Sequence, residues 1–189
     1  GPYYMQSGEF DANGLGGVYI LSNGAVGLTG VHALNNYGDG IHVETTSTAT
    51  FQGKDLSASN NSREGIYINS AGAVNLNPNN VANNFLAGIN IHAPGAVMIT
   101  GSKDYASVHD NLVSIIVTSP GNITISNIGA SDNVLGFLLM NSGTTGNVTL
   151  KNISGSSEVV GFDIDTQGSV SLTNVFWYGA DFGALIDNH

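Results

Sequence analysis

The chain has 189 residues, no cysteine, 26 glycines and a formal net charge of −10 from 14 acidic and four basic side chains. This acidic excess argues against a nucleic-acid partner, because binding to phosphates requires clustered Lys and Arg. Without cysteine there is no disulfide framework, so stability has to come from a buried core. No run of 18 apolar residues occurs, and we expect no membrane span.

The first 15 residues lack the repeated patterns described below, and we expect them to form an N-terminal tail or cap. The opening Gly1-Pro2 is typical of a remnant left by a protease. Residues 16–189 are predicted to form a single domain, because the repeated patterns run through this whole segment.

A glycine followed by two apolar residues at alternating positions opens the repeats, with one departure, where Ser114 takes the place of the glycine. The pattern occurs at residues 40–43, 65–68, 88–91, 136–139, 161–164 and 183–186. A regular period of about two dozen residues indicates a stack of small units, each of which completes the hydrophobic core of its neighbours.

Two further patterns follow within each repeat. In the second, apolar residues again lie two positions apart and most are β-branched or aromatic, as in a strand with one buried face. The third is a single apolar residue, often with alanine two positions later. The second pattern occurs at residues 25–28, 73–76, 96–99, 122–125, 147–150 and 169–172, and the third at Val31, Leu56, Val81, Ile128, Ile153 and Val175.

These patterns predict an all-β fold, a right-handed parallel β-helix solenoid of about seven to eight turns of about 22–26 residues with three short strands per turn. A left-handed β-helix is disfavoured, because it requires apolar residues at a hexapeptide period. A propeller stays open at a longer repeat, although its four-stranded blades require several tight hairpin turns.

Asparagine-rich corners follow the third pattern in phase, at residues 35–36, 60–61, 83–84 and 132–133. Asparagine tolerates the left-handed backbone conformation, and stacked amides form hydrogen bonds along a column. We therefore predict an amide ladder at this corner. The glycine that opens each repeat is predicted to have a positive φ.

The repeats resemble the right-handed parallel β-helix (pectate-lyase-like) superfamily, and in particular the Gly- and Asn-rich repeat proteins of bacterial and archaeal surfaces, over residues 16–189. The resemblance implies the fold and an extracellular or cell-surface location. It leaves the function open, because the superfamily includes polysaccharide lyases, glycoside hydrolases, phage tailspikes, adhesin stalks and simple scaffolds.

The familiar enzymatic activities of that superfamily are disfavoured by the residues present. Its lyases use a basic residue, often arginine, beside a carboxylate cluster that holds Ca²⁺. The single arginine of this chain, Arg63, lies next to Glu64 in a polar stretch that indicates a solvated turn. The polygalacturonase motifs (Asn-Thr-Asp, Asp-Asp, Gly-His-Gly and Arg-Ile-Lys) are absent. We assign no catalytic residue, and we leave open whether the chain is an enzyme.

Residues that alternate with the buried ones face solvent and align in columns along the coil. One polar part of these columns combines hydrogen-bonding groups with an aromatic ring, as sugar-binding surfaces do. The alternative interpretation is an ordinary solvated sheet face. The candidate ligand-binding residues are His42, Glu44, Tyr67, Asn69, Asn90 and His92.

Apolar residues occupy the next turns of the same columns. Ile116, Leu138 and Met140 are predicted to face outward, where apolar side chains indicate a partner interface or a covering segment of the same chain. Trp177 in the last turn is a further interface candidate, and it either joins a neighbouring molecule or covers the core.

Three carboxylates follow in the last turns. Asp165 and Asp187 are predicted to be neighbours on adjacent turns, with Asp163 close by. Carboxylates at this spacing repel one another unless a proton or cation lies between them, and Ca²⁺ is the natural candidate. No other cofactor is expected.

Insertions at residues 53–55, 77–80 and 102–105 collect at one corner and form a second candidate surface. Taken together, the sequence predicts a non-enzymatic secreted or surface scaffold, similar to an adhesin and able to associate end to end. The alternative is a carbohydrate-binding or carbohydrate-active module. The partners expected are a polysaccharide, a protein at a surface, or other copies of the chain.

Overall fold

The computed structural model describes residues 1–102, 106–141 and 145–188, and in them the chain forms a parallel β-solenoid of about eight turns with no helix. This confirms the predicted all-β coil. None of these described residues belongs to a helix of the length and apolarity that a membrane crossing requires.

The strands alternate between two sheets. In chain order they are β1 (Tyr3–Asp11), β2 (Val18–Ser22), β3 (Val26–Leu34), β4 (Ile41–Thr45), β5 (Phe51–Ser59), β6 (Ile66–Ser70), β7 (Val74–Ala82), β8 (Ala87–His92), β9 (Val97–Thr100), β10 (Ala106–His109), β11 (Val113–Thr118), β12 (Ile123–Ser131), β13 (Leu135–Asn141), β14 (Val148–Ser156), β15 (Val160–Thr166), β16 (Val170–Tyr178) and β17 (Phe182–Asn188).

All strand pairs are parallel. The first sheet has the order β1-β3-β5-β7-β10-β12-β14-β16, with β9 between β7 and β12, and the second has the order β2-β4-β6-β8-β11-β13-β15-β17. Strand β1 pairs in register with β3 from Tyr3 to Asp11, so residues that we expected in a tail or cap extend the first sheet.

The second and third sequence patterns mostly lie in one strand of the first sheet. A residue with positive φ bends this strand near its middle, as Gly30, Asp55 and Asn127 do in β3, β5 and β12. A bent strand turns the chain while its backbone hydrogen bonds to the neighbouring turns continue. Each turn therefore has several short straight segments distributed over two sheets.

The asparagine corner forms the predicted ladder. The first residue of each corner, such as Asn35, Asn60 or Asn83, has a positive φ. The second is buried, and its Nδ2 donates to the Oδ1 of its equivalent in the next turn at 2.9–3.1 Å. The ladder runs through Asn13, Asn36, Asn61, Asn84, Asn111 and Asn133.

The predicted positive φ of the repeat-opening glycines is wrong. Gly30 and Gly179 have positive φ among the glycines of the described residues, and neither opens a repeat. Close packing is the reason for glycine instead: a Cβ on Gly40 would lie 2.6 Å from Nδ2 of Asn61 and 2.7 Å from the carbonyl oxygen of Gly65. The glycine thus makes room for the amide ladder.

Candidate functional site

The strand register brings the six candidate ligand-binding residues together on the outer face of the second sheet. His42 pairs with Tyr67 and Tyr67 with Asn90, while Glu44 pairs with Asn69 on the parallel column. His92 is the next member of that second column, opposite Asn69. We call this surface, on β4, β6 and β8, the histidine face.

Aromatic rings stack along the histidine face. The ring of His42 lies between those of Tyr19 and Tyr67, with centroid distances of 4.7 and 4.5 Å. Tyr67 is followed by His92 at 6.0 Å in a tilted arrangement. Because one strand spacing matches a ring-stacking distance, these rings cover each other's faces. The column therefore offers ring edges and polar atoms to a ligand more than open ring faces.

A cluster of carboxyl groups holds His42 in place. Its Nδ1 lies 2.6 Å from Oδ2 of Asp39, and its Nε2 lies 3.0 Å from Oε1 of Glu44. Both contacts are N–H donations only when the ring is protonated, since a neutral imidazole carries a single N–H. The ring orientation is fixed in either state, and fixed polar groups favour specific binding.

Asp39 and Glu64 form a buried carboxyl pair beneath this histidine. Burial raises the pKa of Asp39, but hydrogen bonds from Glu64 and His42 and the charge of Arg63 outweigh burial and hold that pKa below its usual range. Burial also raises the pKa of Glu64, and the hydrogen bond to Asp39 and the negative charge of Asp39 raise it further. Of the two groups, Glu64 is therefore the one that binds a proton more readily in the folded chain.

Arg63 approaches this pair from solvent. Its Nε lies 3.6 Å from Oδ1 of Asp39 and 3.7 Å from Oε2 of Glu64, and its side chain is 60% exposed. At this distance and exposure the ion pairs contribute little to stability. Closer support for Asp39 comes from the backbone N–H of Glu64, which donates to Oδ1 of Asp39 at 3.2 Å, and from Nδ1 of His42, 2.6 Å from Oδ2 of Asp39.

Asp39 and Glu64 were not among the residues predicted for the site from the sequence. Both directly precede the repeat-opening glycine, so an acidic residue at the same position of two consecutive repeats was the available signal. It is a weak signal, because the burial that shifts the pKa values of the two groups depends on side chains from other turns.

The apolar interface candidates lie together on the next turns of the second sheet. Ile116 pairs with Leu138, and Met140 lies beside Thr118, all half-buried. Trp177 is not part of this surface. Its ring packs edge-on against Phe137 at a centroid distance of 5.5 Å.

Trp177 also ends the amide ladder. Glu158 occupies the ladder position after Asn133, accepting from Asn133 Nδ2 at 3.2 Å and from Trp177 Nε1 at 2.6 Å. Burial raises the pKa of Glu158, although both hydrogen bonds oppose the increase. The tryptophan thus covers the end of the core and supplies the last donor of the ladder.

The three aspartates lie where the sequence placed them. Asp165 and Asp187 are register partners, and Asp163 lies on the same strand as Asp165. Within the described ranges there is no group of three or more His, Asp or Glu residues arranged to hold a metal ion. Ca²⁺ binding here stays a prediction, as does the corner surface, part of which (103–105) lies outside the described residues.

Comparisons with protein-family models, with curated proteins and with solved structures found no match for this chain. Its function has to be argued from its own surface.

Proposed function

We propose that this chain is a rigid, non-enzymatic scaffold in a secreted or cell-surface protein, with the right-handed pectate-lyase-like β-helix as its family. The observation that supports a scaffold is the unbroken stacking of turns. Backbone pairing in two sheets and a buried amide ladder join each turn to the next along the coil. Such a rod suits presentation of binding surfaces at a distance.

The scaffold is also proposed to associate end to end with a second copy. Ile186 and Leu172 continue the inward columns of Ile164 and Leu150, which are fully buried. In the last described turn both residues are exposed, Ile186 by 47%. Exposed apolar side chains beside unpaired strand edges favour stacking on a second copy of this sequence.

Light scattering across a range of concentrations tests this association. We expect the mass to rise with concentration, and Ile186→Ser to prevent the rise because it removes apolar area from the end of the core. Leu185→Ser is the matched control: Leu185 is 42% exposed on the same strand but lies in the outward column. A constant monomer mass for the unmodified chain would contradict association.

Carbohydrate binding at the histidine face is the second candidate. The specific observation in its favour is His42, fixed between Asp39 and Glu44 with one ring edge beside polar groups. A panel of neutral and uronic-acid polysaccharides tests it, with His42→Ala expected to lose about tenfold in affinity. Release of reducing ends or unsaturated sugars that depends on His42 or Glu44 would contradict a non-enzymatic role.

Ca²⁺ is proposed as an accessory ligand of Asp165 and Asp187, which lie one strand spacing apart. A melting temperature that does not change when Ca²⁺ is added would dismiss this ligand.

A further inference from the structure

A shallow, open groove runs along the asparagine corner and is lined by none of the residues of the histidine face. It has a volume of about 820 Å³, and its lining includes Tyr37, Phe85 and the amides of the corner residues. We call it the corner groove. No binding role was predicted for it from the sequence.

Two aromatic side chains flank the corner groove with their faces free. Tyr37 is 79% exposed and Phe85 is 75% exposed. In the described part of the chain neither ring packs against another aromatic ring, in contrast to the stacked rings of the histidine face. Two open ring faces within one lining are a surface that a ligand can cover.

The two rings are separated by one turn that carries a small residue. Tyr37, Ser62 and Phe85 each directly follow a ladder asparagine, and their backbone N–H groups donate to the preceding turn in the same way. Ser62 is therefore the member of the column between the rings, which lie two strand spacings apart, about 9.6 Å. The gap above Ser62 leaves room for an extended ligand that lies along the coil axis.

Unpaired amides border this gap. Asn60 and Asn83 are exposed and have the left-handed backbone conformation. Over the described residues, the side-chain amides of both lack a hydrogen-bond partner, whereas the amides of the ladder behind them are fully engaged. Each free amide offers two donors and one acceptor oxygen on a rigid support.

The charge of the groove points to a neutral ligand. Among the described residues its lining includes no Lys or Arg and one carboxylate, Asp110, which already contacts Nδ1 of His109 at 2.6 Å. The net charge of −10 repels polyanions such as uronic-acid polymers. Sugars present an apolar C–H face and a rim of hydroxyl groups, which match open rings beside free amides.

We propose that the corner groove binds a neutral polysaccharide, with sugar rings against Tyr37 and Phe85 and sugar hydroxyls at Asn60 and Asn83. This site is separate from the histidine face, and its occupation does not require the end-to-end association proposed above. It gives the scaffold a surface for attachment to an uncharged glycan.

Retention of the protein in native gels that contain soluble polysaccharides tests the proposal. The panel should include neutral β-glucan, xylan and mannan beside acidic polygalacturonate and alginate. We expect at least one neutral polymer to retard the chain, and Tyr37→Ala and Phe85→Ala each to weaken binding about tenfold. Tyr4→Ala is the matched control, since Tyr4 is an exposed tyrosine on β1 and outside the groove.

A second variant distinguishes the effect of the side-chain amide from that of the backbone conformation. Asn83→Gly removes the side-chain amide but keeps a residue that adopts positive φ readily, so the fold is preserved and binding is expected to weaken. The proposal is overturned if no neutral polymer is retained, if acidic polymers bind more tightly, or if the groove variants bind like the unmodified chain. Loss of binding in His42→Ala with full binding in the groove variants would place the ligand at the histidine face instead.

Discussion

Asn61 joins three consecutive turns through one side chain. Its Oδ1 accepts from the backbone N–H and the Nδ2 of Asn36, and its Nδ2 donates to Oδ1 of Asn84 and to the carbonyl oxygen of Ala33. All of these groups are buried away from water. Removing one such side chain therefore leaves several polar atoms without partners in the adjoining turns.

We predict that Asn61→Ala lowers the free energy of unfolding by about 3 kcal/mol, because each buried group left unpaired costs about 1–3 kcal/mol. Urea denaturation followed by circular dichroism measures the change. Asn75→Ala serves as the control, since Asn75 is exposed on β7 and should shift the free energy of unfolding by less than about 0.5 kcal/mol. Equal effects of the two substitutions would mean that the ladder adds nothing specific.

The carboxyl pair gives stability a definite dependence on pH. The raised pKa of Glu64 means that the folded chain binds its proton more tightly than the unfolded chain does. The stabilisation is therefore complete below the ordinary pKa of 4.5 and is lost as pH rises through the raised value. The raised pKa of Glu158 changes stability with pH in the same direction. The pKa of Asp39 is lowered instead, so its contribution to stability is present above the ordinary pKa of 3.8 and is lost as pH falls through the lowered value.

We predict that the melting temperature declines from pH 4.5 to pH 7 and that Glu64→Gln declines less. The amide of glutamine has no proton to lose in this range, so this part of the pH dependence disappears. Glu9→Gln is the control for net charge, because Glu9 is exposed on β1. A decline in Glu64→Gln as steep as that of the unmodified chain would rule out Glu64 as the source of the pH dependence.

At the scale of the strand, side-chain size decides where each element packs. The inward column of the first sheet runs through Ala33, Ala58, Val81, Val108, Ala130 and Gly155 before it reaches Trp177. The indole lies over Gly155, where a Cβ would clash with the ring. The missing side chain of this glycine therefore provides the space that the indole fills.

Strand pairing in turn fixes the outer surface. Outward residues on adjacent turns lie one strand spacing apart, so rings stack, amides bond and like carboxylates adjoin. The histidine face and the Asp165–Asp187 pair follow from the same geometry. A change of register by one residue would turn each of these columns into the core.

At the scale of the whole molecule, the coil is an acidic rod whose turns contact only their neighbours. Its net charge of −10 opposes contact between copies, while the exposed apolar side chains of Ile186 and Leu172 favour it. We therefore expect the mass measured by light scattering to increase with added salt, which screens the repulsion and leaves the apolar contact unaffected.

The sequence by itself determined the period, the two sets of columns and the asparagine ladder. These features are local: alternation along a strand and one repeat per turn assign each side chain to a column before any contact is known. The ladder member Asn111 escaped detection because its turn is longer than the others, which hides the phase.

Only the tertiary structure decided which side chains from different turns share a buried space. It united Asp39 with Glu64 and His42, replaced a backbone reason for Gly40 by a packing reason, and placed Trp177 against Phe137 and Glu158. Burial, shifted pKa values and free ring faces depend on neighbours about two dozen residues away in the chain. The order of residue types along the sequence does not specify how closely side chains from different turns approach one another.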